Sequence, residues 1–379
     1  MLFQEPLGEP YESMTFDQLD ERIRAHKARL GDRLVILGHH YQQDDVIRYA
    51  DFTGDSLRLA RLAGQQHKAR YIVFCGVHFM AESADMLTGD DQIVILPDLS
   101  AGCSMADMTD ATDLQTCLDE VAALAGGARI VPITYVNSTA AVKAVTGRAG
   151  GACCTSGNCR TVLEWALRSE ADGGAGAQKI LAAPDQHLVR ATALDMGYGL
   201  DDCVVYRPTE LNGGLTAEQV QAATFILWEG YCSVHQEFTV EQIAHRRRQY
   251  PGIQVIVHPE CPIDVVQAAD LHGSTEQIIR TIAEAAPGSK WAVGTEVNLV
   301  NRLANRHTDR LVVNLADHHC LCSTMYRIDP AHLCWALDNL VEGRVVNRVT
   351  VAPDIKADAL IALDRMVNLQ GVTAATRTR

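Results

Sequence analysis

The chain has 379 residues, 47% of them apolar and 21% charged, with a formal net charge of -14. Such a chain is long enough for two or three cores, and its composition excludes disorder and collagen-like repeats. Its acidity argues against general electrostatic attraction to nucleic acid or anionic lipid, so an anionic substrate must be held by local donors.

Twelve cysteines are the unusual feature of the composition. The opening stretch MLFQEPLGEPYESMTFDQLDERIRAHK is acidic and has no apolar leader core. No apolar run approaches the roughly 18 residues of a membrane span, so a cytoplasmic location is expected. In that reducing compartment structural disulfides explain the thiols poorly, which leaves buried filler, redox chemistry or metal. No Cys-x-x-Cys occurs, and the Cys153-Cys154 pair and the Cys320-x-Cys322 pair are each too weak to define a local zinc or ferredoxin site.

In chain order, the run LVIL at 34–37 reads as a buried strand delivering His39, His40 and Tyr41 at its carboxyl end. A polar turn with Ser56 then opens the amphipathic stretch GDSLRLARLA. Further strands follow at 71–74 (YIVF) and 92–97 (QIVILP), the last leading to a loop with Cys103. The same succession begins again with RIVPIT at 129–134, which delivers Tyr135 and Asn137, and continues with the Ser156 turn, KILAA at 179–183 and CVVYR at 203–207. It ends at Cys232 and His235. A third copy starts with IQVIV at 253–257, delivers His258 and Glu260, and passes through the Ser274-Thr275 turn to KWAV at 290–293 and LVVNL at 311–315. It ends at Cys320 and Cys322.

The interval from strand-end residue to turn serine (His39 to Ser56, Asn137 to Ser156, His258 to Ser274) is 17, 19 and 16 residues. This near-constancy indicates three copies of a βαβαβ unit of roughly 100 residues. The expected fold is α/β: three similar three-layer αβα units with parallel sheets around a pseudo-threefold axis. The first unit takes 1–103 plus about 335–379, the second 104–231 and the third 232–334. Right-handed crossovers place the strand ends of each unit on one sheet edge, where α/β proteins bind ligands.

One cysteine from each copy would then converge. Three thiolates without a fourth protein ligand suit a 4Fe-4S cluster with one open iron; zinc on the same thiolates is the competing metal. Cys75, Cys117, Cys203 and Cys334 fall inside strand or helix patterns and read as buried filler. The turn serines lie at helix starts, where free N–H groups favour carboxylate or phosphate, although plain capping explains any single one. No nucleotide-binding glycine motif is present.

At these residues the sequence resembles the quinolinate synthase family, iron-sulfur enzymes of de novo NAD biosynthesis. The resemblance rests on GHHYQ at 38–42, ADFTGDSLRLA at 50–60, YVNSTA at 135–140, TSGN at 155–158, GYCSVHQ at 230–236, VIVHPECP at 255–262, GSTEQ at 273–277, GTEVNLV at 294–300 and CSTM at 322–325. It implies condensation of iminoaspartate with dihydroxyacetone phosphate to quinolinate, phosphate and water, with one 4Fe-4S cluster per chain. It also implies transient contact with the aspartate-oxidising enzyme.

The family's cluster ligands match Cys103, Cys232 and Cys322, the last preferred over Cys320 for its spacing to Met325. His39, Tyr41, His235, His258 and Glu260 match groups that bind intermediates or move protons, with Glu260 and Tyr41 expected as the principal acid and base. Ser56, Tyr135, Asn137, Ser156, Ser274, Thr275 and Thr295 match substrate-binding positions, joined by His39, His258 and Glu260. Another iron-sulfur hydro-lyase and an iron-sulfur sensor are the competing readings; a sensor would want a basic recognition helix, which the acidic chain does not offer.

Overall fold

A computed structural model of the chain describes residues 3–318 and 320–369. The ends of the expected first unit at 1–2 and 370–379, and His319, lie outside the described residues. The chain divides into two compact units, one built from the chain up to Asp107 with Cys232–Ala352, the other from Met108–Tyr231 with the chain from Pro353 onward. Among the described residues no helix is long and apolar enough to cross a membrane.

Three sheets carry the fold. Strands β1 (Leu34–His39), β2 (Phe52–Gly54), β3 (Tyr71–Cys75) and β4 (Ile93–Ile95) pair in parallel in the order β2-β1-β3-β4. Strands β5 (Ile130–Tyr135), β6 (Ala152–Cys154), β7 (Lys179–Ala183), β8 (Cys203–Tyr206) and β9 (Phe225–Trp228) form a second parallel sheet, ordered β6-β5-β7-β9-β8. The third sheet holds β10 (Gln254–Val257), β11 (Leu271–His272), β12 (Lys290–Gly294) and β13 (Leu311–Asn314) in the order β11-β10-β12-β13. The α/β class with three parallel sheets is therefore as the sequence led one to expect. Helices cover the sheets, which is why runs such as Ile36-Leu37, Ile180-Leu181 and Val255-Ile256 are fully buried and continuously apolar rather than alternating.

The repeat is closer in space than in sequence. Each sheet has a short strand of two or three residues beside its first long strand (β2, β6, β11), placed just before the serine turn. In the second unit the expected third strand at 203–207 turns out to be an edge addition. The counterpart of β4 and β13 is β9, which lies inside the sheet and leads directly to the Cys232 loop.

The stretch expected at 335–379 divides. Strand β14 (Arg348–Val349) pairs antiparallel with β4 and closes the edge of the first sheet. Helix Pro353–Asn368 instead belongs to the second compact unit, where it packs on helix Ala140–Arg148, with Arg148 2.9 Å from Asp358 and Asn158 Nδ2 donating to Met366 O at 2.9 Å. The two helices meet closely enough that a Cβ on Gly147 would stand 2.0 Å from the backbone oxygen of Asp358.

Candidate functional site

Glycine lets the first sheet deliver its polar residues. A Cβ at Gly38 would come within 2.6 Å of Ile47 and 2.9 Å of Ala50, so only glycine lets the following short helix, Asp44–Ile47, fold back beside the strand end. His39 ends β1, 4% exposed, and its Nδ1 accepts the backbone N–H of Tyr41 at 3.1 Å. His258, just past β10, repeats the arrangement: its Nδ1 accepts the N–H of Glu260 at 3.4 Å. Both rings thus carry their proton on Nε2 and present it as a donor. Burial drives both pKa values down from 6.5 to about 3, so the rings are neutral at ordinary pH.

The loop after β1 reaches the third sheet, where Tyr41 packs against the cluster containing Ile278 and Val293. Its phenol oxygen lies 3.1 Å from Thr275 Oγ1 and 2.9 Å from Thr295 Oγ1. Thr295 Oγ1 is in turn 3.1 Å from His235 Nε2, and His235 Nδ1 is 2.8 Å from Glu260 Oε2. A continuous chain of exchangeable protons therefore runs from Glu260 through His235 and Thr295 to Tyr41 and Thr275. All but Tyr41 are less than one-tenth exposed. The His258 ring stacks on His235 with centroids 4.4 Å apart. Burial and then the Glu260 charge hold the Tyr41 phenol well above its usual pKa, so it stays protonated.

The cysteine loops have one shape. A short 3-10 turn begins three residues after Cys103 (Ala106–Met108), Cys232 (His235–Glu237) and Cys322 (Met325–Arg327). In each, the cysteine carbonyl accepts the N–H four residues on, from Asp107, Gln236 and Tyr326, at 3.1, 2.9 and 3.0 Å. The backbone N–H of Ala106, His235 and Met325 is also directed at the respective thiol sulfur. Cys320 begins no such turn.

Burial pushes the Cys103 thiol up to about 12 and also raises Cys232 and Cys322. Within that buried space Cys103 feels Cys322, and Cys232 feels both. Cys232, His235 and Glu260 place one donor atom each within 4.8 Å of one another. Three thiols at mutual electrostatic range, each facing a backbone donor, fit a group that binds three thiolates and takes hydrogen bonds to sulfur. Cys75, Cys117, Cys203 and Cys334 lie in strands or helices, and every cysteine of the chain is a free thiol.

The serine turns differ from one another. Ser274 caps helix Thr275–Glu284, its Oγ accepting the N–H of Gln277 at 3.3 Å. Helix Ser56–Gly64 is capped by Asp55 instead, with Oδ1 accepting from Arg58 N at 2.9 Å, so Ser56 is its first residue. In the second unit Ser156 lies in the turn after β6, where Asn158 Oδ1 accepts the Thr155 N–H at 2.8 Å. Tyr135 ends β5 with 7% exposure and Asn137 follows two residues later, half-buried.

Sequence reasoning passed over the residues that hold the His39–Gln42 loop. Arg302 donates to His40 O at 2.7 Å and Gln42 O at 2.6 Å and pairs with Asp44 at 2.7 Å, while Asn298 Nδ2 reaches Tyr41 O at 3.3 Å. Four residues apart, they share one face of helix Val297–Arg306. Buried Glu296 caps that helix through the N–H groups of Asn298 and Leu299. Asn298 falls within GTEVNLV at 294–300, and the i, i+4 spacing from it is the signal for Arg302.

The model of the quinolinate synthetase A protein family matches residues 21–368. The chain belongs to that family. Among the relatives of this family, a protein of Acidobacterium capsulatum named quinolinate synthase is 52% identical over 364 residues, 95% of each chain. One of a Nocardioides species with the same name is 55% identical over 354 residues, 93% of this chain and 90% of its own. A third, from Herpetosiphon aurantiacus, is 52% identical over 367 residues, 96% of each.

Proposed function

We propose that Cys103, Cys232 and Cys322, as thiolates, hold one 4Fe-4S cluster, and that the chain condenses iminoaspartate with dihydroxyacetone phosphate to quinolinate, phosphate and water. This places it in the de novo synthesis of NAD, in the cytoplasm. The observation that carries the reading is the threefold recurrence of the cysteine loop, with the same turn and the same N–H aimed at sulfur. When bound, the cluster supplies an iron with an open coordination position, a Lewis acid for a substrate hydroxyl or carboxylate.

The protein's own groups supply proton traffic and grip. Isomerising a hydroxyketone and losing two waters require protons to leave carbons beside a carbonyl and to reach departing hydroxyls. Glu260 takes such protons, His235 and Thr295 pass them along hydrogen bonds of 2.8 and 3.1 Å, and Tyr41, held protonated by burial, delivers them. His39 and His258 donate from Nε2 to carboxylate or carbonyl oxygens. Thr275 and Thr295 orient the phenol, Ser56 and Ser274 contribute at helix starts, and Tyr135, Asn137 and Ser156 are the second unit's substrate clamps. Three αβα units around a pseudo-threefold axis would bring these groups to one substrate. Because iminoaspartate hydrolyses readily, transient contact with the aspartate-oxidising enzyme is its source.

The test is anaerobic purification followed by iron analysis and a quinolinate assay on single alanine variants. A brown protein with about four iron per chain is expected. Cys103→Ala, Cys232→Ala and Cys322→Ala lose the cluster, whereas Cys320→Ala retains it. A colourless active protein refutes the cluster, and retention in Cys322→Ala with loss in Cys320→Ala moves the third ligand to Cys320.

A further inference from the structure

A further group of side chains of metal-ligand type lies outside the proposed cluster ligands and proton chain. Glu237 closes the 3-10 turn His235–Glu237, while His318 and Cys320 sit two residues apart in the segment leading to Cys322. One donor atom of each lies within 4.8 Å of the other two. His318 Nε2 is 3.0 Å from Glu237 Oε2. Cys320 is fully buried, whereas the side chains of His318 and Glu237 are 57% and 49% exposed. None of the three is a proposed cluster ligand or a member of the chain from Glu260 to Thr275.

We propose that Glu237, His318 and Cys320 form a second metal site that takes one Zn2+ or a similar borderline divalent cation, with water in the fourth position. Thiolate, imidazole and carboxylate are the donors zinc accepts, at about 2.3, 2.0 and 2.0–2.2 Å. Tetrahedral bonds of that length separate the donor atoms by roughly 3.3–3.8 Å. The 3.0 Å His318–Glu237 pair therefore opens by about 0.3 Å and the contacts to sulfur close by at most about 1.3 Å, movements open to the two half-exposed side chains around the buried sulfur. Binding exchanges the thiol proton for the metal: the S–H bond breaks, the S–Zn bond forms and one proton leaves to solvent, while the His318 ring, whose Nε2–H meets Glu237, ligates as the Nδ1–H tautomer with no net change in its protons. No oxidant or reductant takes part.

The consequence is mechanical. Glu237 lies five residues after Cys232, and Cys320 two residues before Cys322, so one ion would tie together two of the three loops proposed to hold the cluster. Occupancy should slow the loss of iron from the cluster when the protein is exposed to air.

The experiment uses the intact, anaerobically purified chain, Zn2+ at controlled free concentration, and zinc and iron analysed separately after desalting. Wild type is expected to retain one zinc per chain with its iron content unchanged. Cys320→Ser, His318→Ala and Glu237→Gln each weaken zinc retention by about tenfold or more, the loss typical of damage to a metal's ligand environment. Iron content and quinolinate formation stay at wild-type level in all three, which also shows that they fold. The proposal is overturned if wild type retains no zinc, if all three variants retain it equally, or if zinc uptake is matched by iron loss, since the ion would then have taken the thiolates of the other site. Absence of iron from every sample would count against the cluster reading alone, because zinc retention is read independently.

Discussion

Arg302 offers the sharpest perturbation, because its contacts are many and none should touch substrate. In Arg302→Met the apolar stem remains while the hydrogen bonds to His40 O (2.7 Å) and Gln42 O (2.6 Å) disappear. A hydrogen bond from a charged donor contributes about 1.5–3 kcal/mol. With the Arg302 side chain 17% exposed the low end applies, giving about 3 kcal/mol for the pair. The ion pair to Asp44, whose side chain is 58% exposed, adds little. About 3 kcal/mol corresponds to roughly a hundredfold change in the fraction of chains whose loop is correctly held. Asn298 on Tyr41 O and Gln42 on Met325 O still restrain the loop, so a fall in kcat between about tenfold and a hundredfold is expected. Arg302→Lys, which offers a point charge in place of a fork, should fall between the two. The assay is anaerobic quinolinate formation with kcat and KM determined separately, alongside iron content. Wild-type kcat in Arg302→Met with normal iron would refute the positioning role.

Three further outcomes are expected. Glu260→Gln removes the carboxylate charge beside His235 Nδ1 and the proposed base, so turnover should drop about 10²-fold or more with the cluster spectrum intact; full activity would sink that role. His39 and His258 are neutral in the fold with pKa values of about 3, against about 6.5 when unfolded, so the unfolded chain binds more protons below pH 6.5. Stability present above that pH is lost on acidification toward pH 3 at about 1.4 kcal/mol per pH unit for each ring. In urea unfolding between pH 6 and 5, His258→Gln should show a shallower pH dependence by that amount, and parallel curves would contradict it. Gly147→Ala drives a methyl into the Asp358 carbonyl and should destabilise the unit carrying helix Pro353–Asn368 by about 1–3 kcal/mol, seen as a lower thermal midpoint.

Much of this molecule is legible in its sequence. Runs such as LVIL, KILAA and KWAV announce buried parallel strands because strands covered on both faces must be apolar at every position, and their constant distance from a serine turn announces the repeat. The short strands β2, β6 and β11 could not be read in the same way, since two or three residues carry no period. Strand β9 was hidden for a related reason: CVVYR looks like the better strand, and only pairing shows that Phe225–Trp228 occupies the inner position.

What the sequence determined by itself was local: strand, turn, helix and the chemical types at strand ends, all set by near neighbours in the chain. The sequence places the stretch from Pro353 with the first unit, and nothing in its own residues says that it packs on Ala140–Arg148 instead. Arg302 and Asn298 look like ordinary helix-surface residues until β12 and the helix after it bring them beside the loop of β1, more than 250 positions earlier. The proton chain from Glu260 to Tyr41 and the triad of Glu237, His318 and Cys320 likewise join segments far apart in sequence. Such contacts depend on how sheets and helices stack, and that was decided only by the tertiary structure.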